Sequence, residues 1–107
     1  MWAGRFVQYP FDKTKMAEVT AWVESSGIGP TLRSKPGVKD IEVSFCPGEG
    51  WLAARYIFND LDDMVSFLGS MDTDPELIKV KELLASAPHY DSSRSPHEFK
   101  GFFKPEL

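Results

Sequence analysis

Two histidines, His89 and His97, and a tyrosine, Tyr90, fall in one polar stretch, residues 86–97, which shows no apolar period. An imidazole titrates near neutral pH and can move a proton, and a phenol can orient an aromatic hydroxyl group. These three residues are the catalytic candidates, with Asp91 and Arg94 beside them. The competing reading is a solvated connector, because loops collect polar residues whatever they do. The histidines lie eight residues apart in irregular chain with no carboxylate-rich helix nearby, so no metal site is expected.

A second group could hold a ligand rather than transform it. Arg5 and Arg55 fall in two apolar runs that read as neighbouring strands, where paired guanidinium groups could grip an acid or enolate by forked hydrogen bonds. Ion pairing to Glu42 or Glu98 is the alternative. Tyr9, Trp22 and Phe67, together with Trp51 and Tyr56, could line an aromatic cleft for a flat molecule, or could be plain core. Arg5, Arg55, Tyr9, Trp22 and Phe67 are thus the substrate-binding candidates. Cys46 is the one cysteine, so no intrachain disulfide can form, and a buried inert thiol is expected. Gly48 and Gly50 sit in a hairpin loop rather than after a parallel strand, so no nucleotide cofactor is implied. No organic cofactor is expected.

The elements that must position these residues are legible as hydrophobic periods. Residues 2–9 are rich in aromatic and β-branched types and stop at Pro10, which reads as a strand. Met16, Val19 and Val23, widened by Trp22, mark a helix over 13–26, and Gly27, Gly29 and Pro30 break it. Pro30 could open one more short turn through Leu32 and Arg33. Pro36-Gly37 predicts a type II turn. Ile41, Val43 and Phe45 then alternate with polar residues in a strand over 38–46. A four-residue loop leads to residues 51–58, apolar on both faces and therefore central or covered twice. Asp60 and Asp74-Pro75 open helices over 60–69 and 74–86. Leu61, Met64, Val65 and Leu68 predict the buried stripe of the first, with Phe67 at its flank. Leu77, Val80, Leu83 and Leu84 predict that of the second. Phe99, Phe102 and Phe103 mark a last strand over 98–104.

The order βαββαβ implies an α+β, ferredoxin-like layout: a four-stranded antiparallel sheet with its helices on one face. The 107 residues fit a single domain, 1–107, with a modest core. The other sheet face needs a cover, and a homodimer would supply it. The net charge of −4, with twelve basic residues scattered among sixteen acids, argues against nucleic acid and anionic membranes as partners. No apolar run approaches the roughly 20 residues of a membrane span, and the first residues lack a signal core. A cytoplasmic location is expected.

The chain resembles the dimeric α+β barrel superfamily over nearly its whole length. The resemblance rests on Pro36-Gly37-Val38 before an alternating strand, the glycine-containing hairpin at 47–50, the run from Phe58-Asn59-Asp60 through Phe67-Leu68, and the late aromatic strand. It implies two sheets closing face to face in a dimer, with clefts between each sheet and its helices. Members include cofactor-free quinone-forming monooxygenases of antibiotic pathways, polyketide cyclases and haem-degrading monooxygenases. The haem-degrading branch uses an Asn on the first strand, a Trp ending the third and a His on the second helix. Here Gln8 and Phe58 stand at the first two positions and no histidine lies between 59 and 88. The resemblance implies a small-molecule enzyme of the oxygenase or cyclase kind, acting on a flat, partly apolar substrate. The alternative is a non-catalytic, dimeric ligand-binding or stress-related module.

Overall fold

The strands fall where the periods put them. In a computed structural model that describes the backbone of residues 2–104 and the side chains of residues 3–98, β1 spans Trp2–Pro10 and a 3-10 turn follows at Lys13–Lys15. Helix α1 (Met16–Ser26) and the short α2 (Ile28–Arg33) lead to β2 (Val38–Cys46) and β3 (Trp51–Phe58). Helices α3 (Leu61–Ser70) and α4 (Pro75–Ala85) precede β4 (His97–Lys104). The sheet order is β2-β3-β1-β4, antiparallel throughout, so the two strands carrying Arg5 and Arg55 are the central pair. The side chains of Phe99, Phe102 and Phe103 lie outside the described residues.

Local chemistry explains the boundaries. The Asp60 carboxylate accepts from the Asp63 amide at 2.8 Å and caps α3. Asp74 accepts from the Glu76 amide at 2.9 Å and caps α4, with Pro75 in the first helical position. Asp12 caps the 3-10 turn, which delays the regular part of α1 to Met16. Gly27 ends α1 in the left-handed region, and α2 then begins at Ile28, two residues ahead of the proline expected to open it. Gly37 is also left-handed, as a type II turn demands, and the Val38 amide donates to the Lys35 carbonyl.

Alternation sorts the sheet into two faces. Ala3, Arg5, Val7 and Tyr9 pair across from Phe58, Tyr56, Ala54 and Leu52 and face the helices. Phe6 and Gln8 pair with Arg55 and Ala53 on the helix-free face. The core lies between sheet and helices. Phe58, Tyr56 and Leu52 meet Val19, Met64, Phe67, Leu77, Val80 and Leu84 there, each nearly out of solvent. Helix α3 is rotated from the expected stripe. Met64, Phe67, Leu68 and Met71 face the core at i, i+3, i+4 and i+7, while Leu61 and Val65 are 42% and 58% exposed. Aromatic packing decides this: Phe67 sits 5.1 Å from Phe58 and 5.7 Å from Tyr56, ring to ring, and draws that side of the helix inward.

Candidate functional site

Arg5 is the one buried charged residue among those described, at 3% exposure. It lies at the centre of β1 on the helix side. Its Nε donates to Glu98 Oε1 at 2.6 Å, and its Nη2 donates to the same oxygen. Glu98 stands on β4, one strand over, opposite Val7. On the other flank the guanidinium lies 5.1 Å from the centre of the Tyr56 ring. The phenols of Tyr9 and Tyr56 both sit against it.

Together these four side chains form the polar end of a cleft of about 230 Å³ between sheet and helices. Leu32, Phe67, Met71, Leu77, Val80 and Leu84 form its apolar walls, and Lys81 and Pro96 stand at its edge. A smaller apolar recess of about 40 Å³ adjoins it behind Tyr9, Leu32, Tyr56 and Leu84.

Burial raises the Tyr56 phenol to about 12, and burial likewise raises Tyr9. Both are neutral hydrogen-bond donors at neutral pH. Burial works to lower Arg5, but Tyr56 and Tyr9, once ionised at high pH, and the carboxylate of Glu98 outweigh it, and the guanidinium is held above its ordinary value. The cleft therefore presents a fixed cation and two neutral phenols to anything that enters.

The structure brings Arg5, Tyr9 and Phe67 together and leaves the other candidates elsewhere. Arg55 pairs in register with Phe6, so it faces the opposite side of the sheet from Arg5, 3.6 Å from Glu42. The two arginines do not form a clamp. Trp22 is half-buried against the core and does not line the cleft. His89 and Tyr90 line a separate open depression of about 850 Å³ with Phe11, Asp12, Trp51 and Arg94. There His89 Nε2 pairs with Glu18 at 2.6 Å, and Tyr90 packs edge-on against Phe11. His97 is exposed and meets Trp51 edge-to-face at 5.3 Å. Among the residues of the 86–97 stretch ahead of β4, only Pro96 reaches the cleft.

That stretch is also pinned, contrary to the looseness its composition suggests. Arg94 donates to the carbonyls of Phe11, Glu49 and Gly50 and to the Asp91 carboxylate, and stacks 4.8 Å over Trp51. Cys46 is exposed rather than buried. Among the described residues no group of three or more His, Cys, Asp or Glu is placed to hold a metal, and no helix is long and apolar enough to cross a membrane.

Glu98 and Tyr56 were visible in the sequence only as an ion-pair partner and an aromatic. Their signal is strand parity: the register that sets Arg5 opposite Tyr56 and Val7 opposite Glu98 puts all three on one face.

No family model and no curated protein matches the chain. Solved structures do. A monooxygenase from the gene ActVA-Orf6 of Streptomyces coelicolor, solved in complex with the ligand nanaomycin D, superposes with a TM-score of 0.73. The match is 14% identical and covers 98% of this chain and 88% of that one. The chain has the ferredoxin-like fold of antibiotic-biosynthesis monooxygenases. SnoaB, a cofactor-independent oxygenase from Streptomyces nogalater, matches with a TM-score of 0.64 at 10% identity, over 99% of this chain and 95% of its own. Rv0793 from Mycobacterium tuberculosis matches with a TM-score of 0.65 at 10% identity, over 100% and 98%. At such identities the likeness concerns the backbone, and chemistry has to be argued from the side chains of this chain.

Proposed function

We propose that this protein is a small-molecule enzyme of the oxygenase or cyclase kind, and that its substrate is a flat, partly apolar phenol or enol bound in the Arg5 cleft. The observation that carries this is a buried guanidinium flanked by two neutral phenols at the end of an apolar slot. An aromatic ring fits the slot, and an oxyanion developing on that ring meets Arg5 and the Tyr56 hydroxyl. Such donors favour a developing charge most where water is scarce. A substrate carbanion or phenolate held there is electron-rich enough to reduce O2 directly. A CH2 next to the enol then becomes C=O, with one oxygen atom retained and the other leaving as water. This reading needs no metal and no organic cofactor. It moves the catalytic weight from His89, Tyr90 and His97 to the cleft. The partner in solution is a second copy of the chain, covering the helix-free face.

The test is oxygen uptake with a hydroxyanthrone as probe, corrected for its reaction in buffer. Wild type should exceed the buffer rate, and Arg5→Met should lower the excess by roughly a hundredfold or more, the scale of one lost oxyanion donor. A wild-type rate equal to buffer contradicts the oxygenase. The second reading, a binding module without catalysis, is favoured by the absence of any described histidine at the cleft. It predicts probe binding with no uptake.

A further inference from the structure

We infer that Glu98 is the proton acceptor of this cleft, and that it and the bound ligand exchange places on Arg5, so that the cleft admits weak oxygen acids in their neutral form. The inference rests on the functional reading above for the location and class of the ligand, and adds the protonation state in which it enters and the residue that ionises it.

The titratable and charged groups around the slot come from four strands and helices. They are Arg5 and Tyr9 on β1, Tyr56 on β3, Lys81 on α4 and Glu98 on β4. Arg5 and Lys81 are cations and donate only. Burial keeps both phenols protonated, so neither offers an oxygen that takes up a proton near neutral pH. His89 and His97 lie outside the slot. Among the described side chains this leaves Glu98.

Its geometry suits an exchange. Both donors of Arg5 converge on Oε1, which leaves Oε2 outside that fork. The Arg5 side chain is 4% exposed and that of Glu98 is 30% exposed, so the cation is fixed inside while its partner sits at the rim, able to turn outward. Charge balance then selects the ligand. One buried cation balances one anion, and a second anion in the slot is costly. A neutral phenol or enol avoids that cost. Its O–H bond breaks, a new O–H bond forms on the Glu98 carboxylate, and the ligand oxyanion accepts from Nε and Nη2 of Arg5 in place of Oε1. One proton moves, no electron is transferred, and the slot keeps its charge. A carboxylate or phosphate arrives already charged and has to expel Glu98 as an anion.

The test uses para-nitrophenol, whose phenolate is yellow and whose phenol is nearly colourless. Binding is measured by absorbance and calorimetry at several pH values below the probe's own pKa. Wild type should bind it as yellow phenolate with no net proton release, and with an affinity flat in pH. Glu98→Gln should still bind phenolate on the now unpaired Arg5, but the proton must go to buffer. Its affinity should therefore fall tenfold for each unit that pH drops, with about one proton released per site. Glu98→Asp, which keeps a carboxylate, should retain the flat profile and covers the case in which the glutamine variant fails to fold. A colourless bound probe in wild type, or the same pH slope in wild type and Glu98→Gln, overturns the inference while leaving the cleft as a binding site. No binding to wild type overturns the functional reading, and this inference with it.

Discussion

Tyr56 is where burial leaves its clearest electrostatic mark. Its phenol titrates at about 12 in the folded chain against 10.0 in an open one. Below pH 10 both states hold the proton and the folded state keeps its full advantage. As pH rises from about 10 toward 12 the unfolded state ionises first, and stability is lost through that window, by about 2–3 kcal/mol at most. Tyr9 adds a loss of the same sign. Tyr56→Phe should therefore give a shallower fall in urea-unfolding free energy across this window than wild type. Parallel curves would mean that Tyr56 is not held neutral by the fold. Gly50 makes a second prediction at this scale. Its φ is +72°, and a methyl group there would collide with the Phe11 carbonyl oxygen and press on Arg94. Gly50→Ala should cost on the order of 2–4 kcal/mol in denaturant unfolding, whereas Gly48→Ala, with open space around it, should be close to neutral.

Among elements, Arg94 is the side chain that ties the 86–97 connector at the most points, beside the backbone bonds that Asp12 and Asp91 make across the same seam. Arg94 bonds Phe11 just past β1, the hairpin before β3 and its own loop at Asp91. Arg94→Ala should lower stability by roughly 2 kcal/mol and speed amide exchange at Asp12 and Asp91, whose N–H groups donate to His89 and Pro10 across this seam. Unchanged exchange there would show that the loop is held by other contacts. This tie also shows what the sequence could not display. A polar run looks mobile by composition, and nothing in composition says that one arginine reaches three carbonyls. The strands and helices were legible because each carries its own period and caps: Ile41, Val43 and Phe45 alternate, and Asp60 and Asp74 cap. The pairing of Arg5 with Arg55 failed for a different reason. Each strand reveals which of its residues share a face, but only the register between strands says which faces coincide, and a shift of one residue inverts the answer. The rotation of α3 was missed because Leu61 and Val65 fit one stripe as well as Phe67 and Met71 fit another. Edge-on and tilted aromatic packing across the core decided between them.

Among the described residues, one face of the sheet carries four helices and the other carries none. On that second face Phe6, Trp51, Arg55 and Ile57 are half-buried within the single chain, on the central strands. This face should close against a second copy of the chain. Sedimentation equilibrium at micromolar concentration should return twice the chain mass of 12.0 kDa, and Ile57→Asp should shift it toward monomer. A clean 12.0 kDa species for the wild type would contradict the dimer.

On the function proposed above, ligand binds in the Arg5 cleft and not in the larger depression beside His89. Titrating isotope-labelled protein with 1-naphthol and following chemical shifts residue by residue tests this most directly. The first and largest changes should fall on the Arg5 Nε–H and on the amides and side chains of Tyr9, Tyr56, Phe67 and Leu84, which line the cleft. Changes centred on Phe11, Trp51, His89 and Arg94, with Arg5 unmoved, would place the ligand in the other depression and rule out the Arg5 cleft.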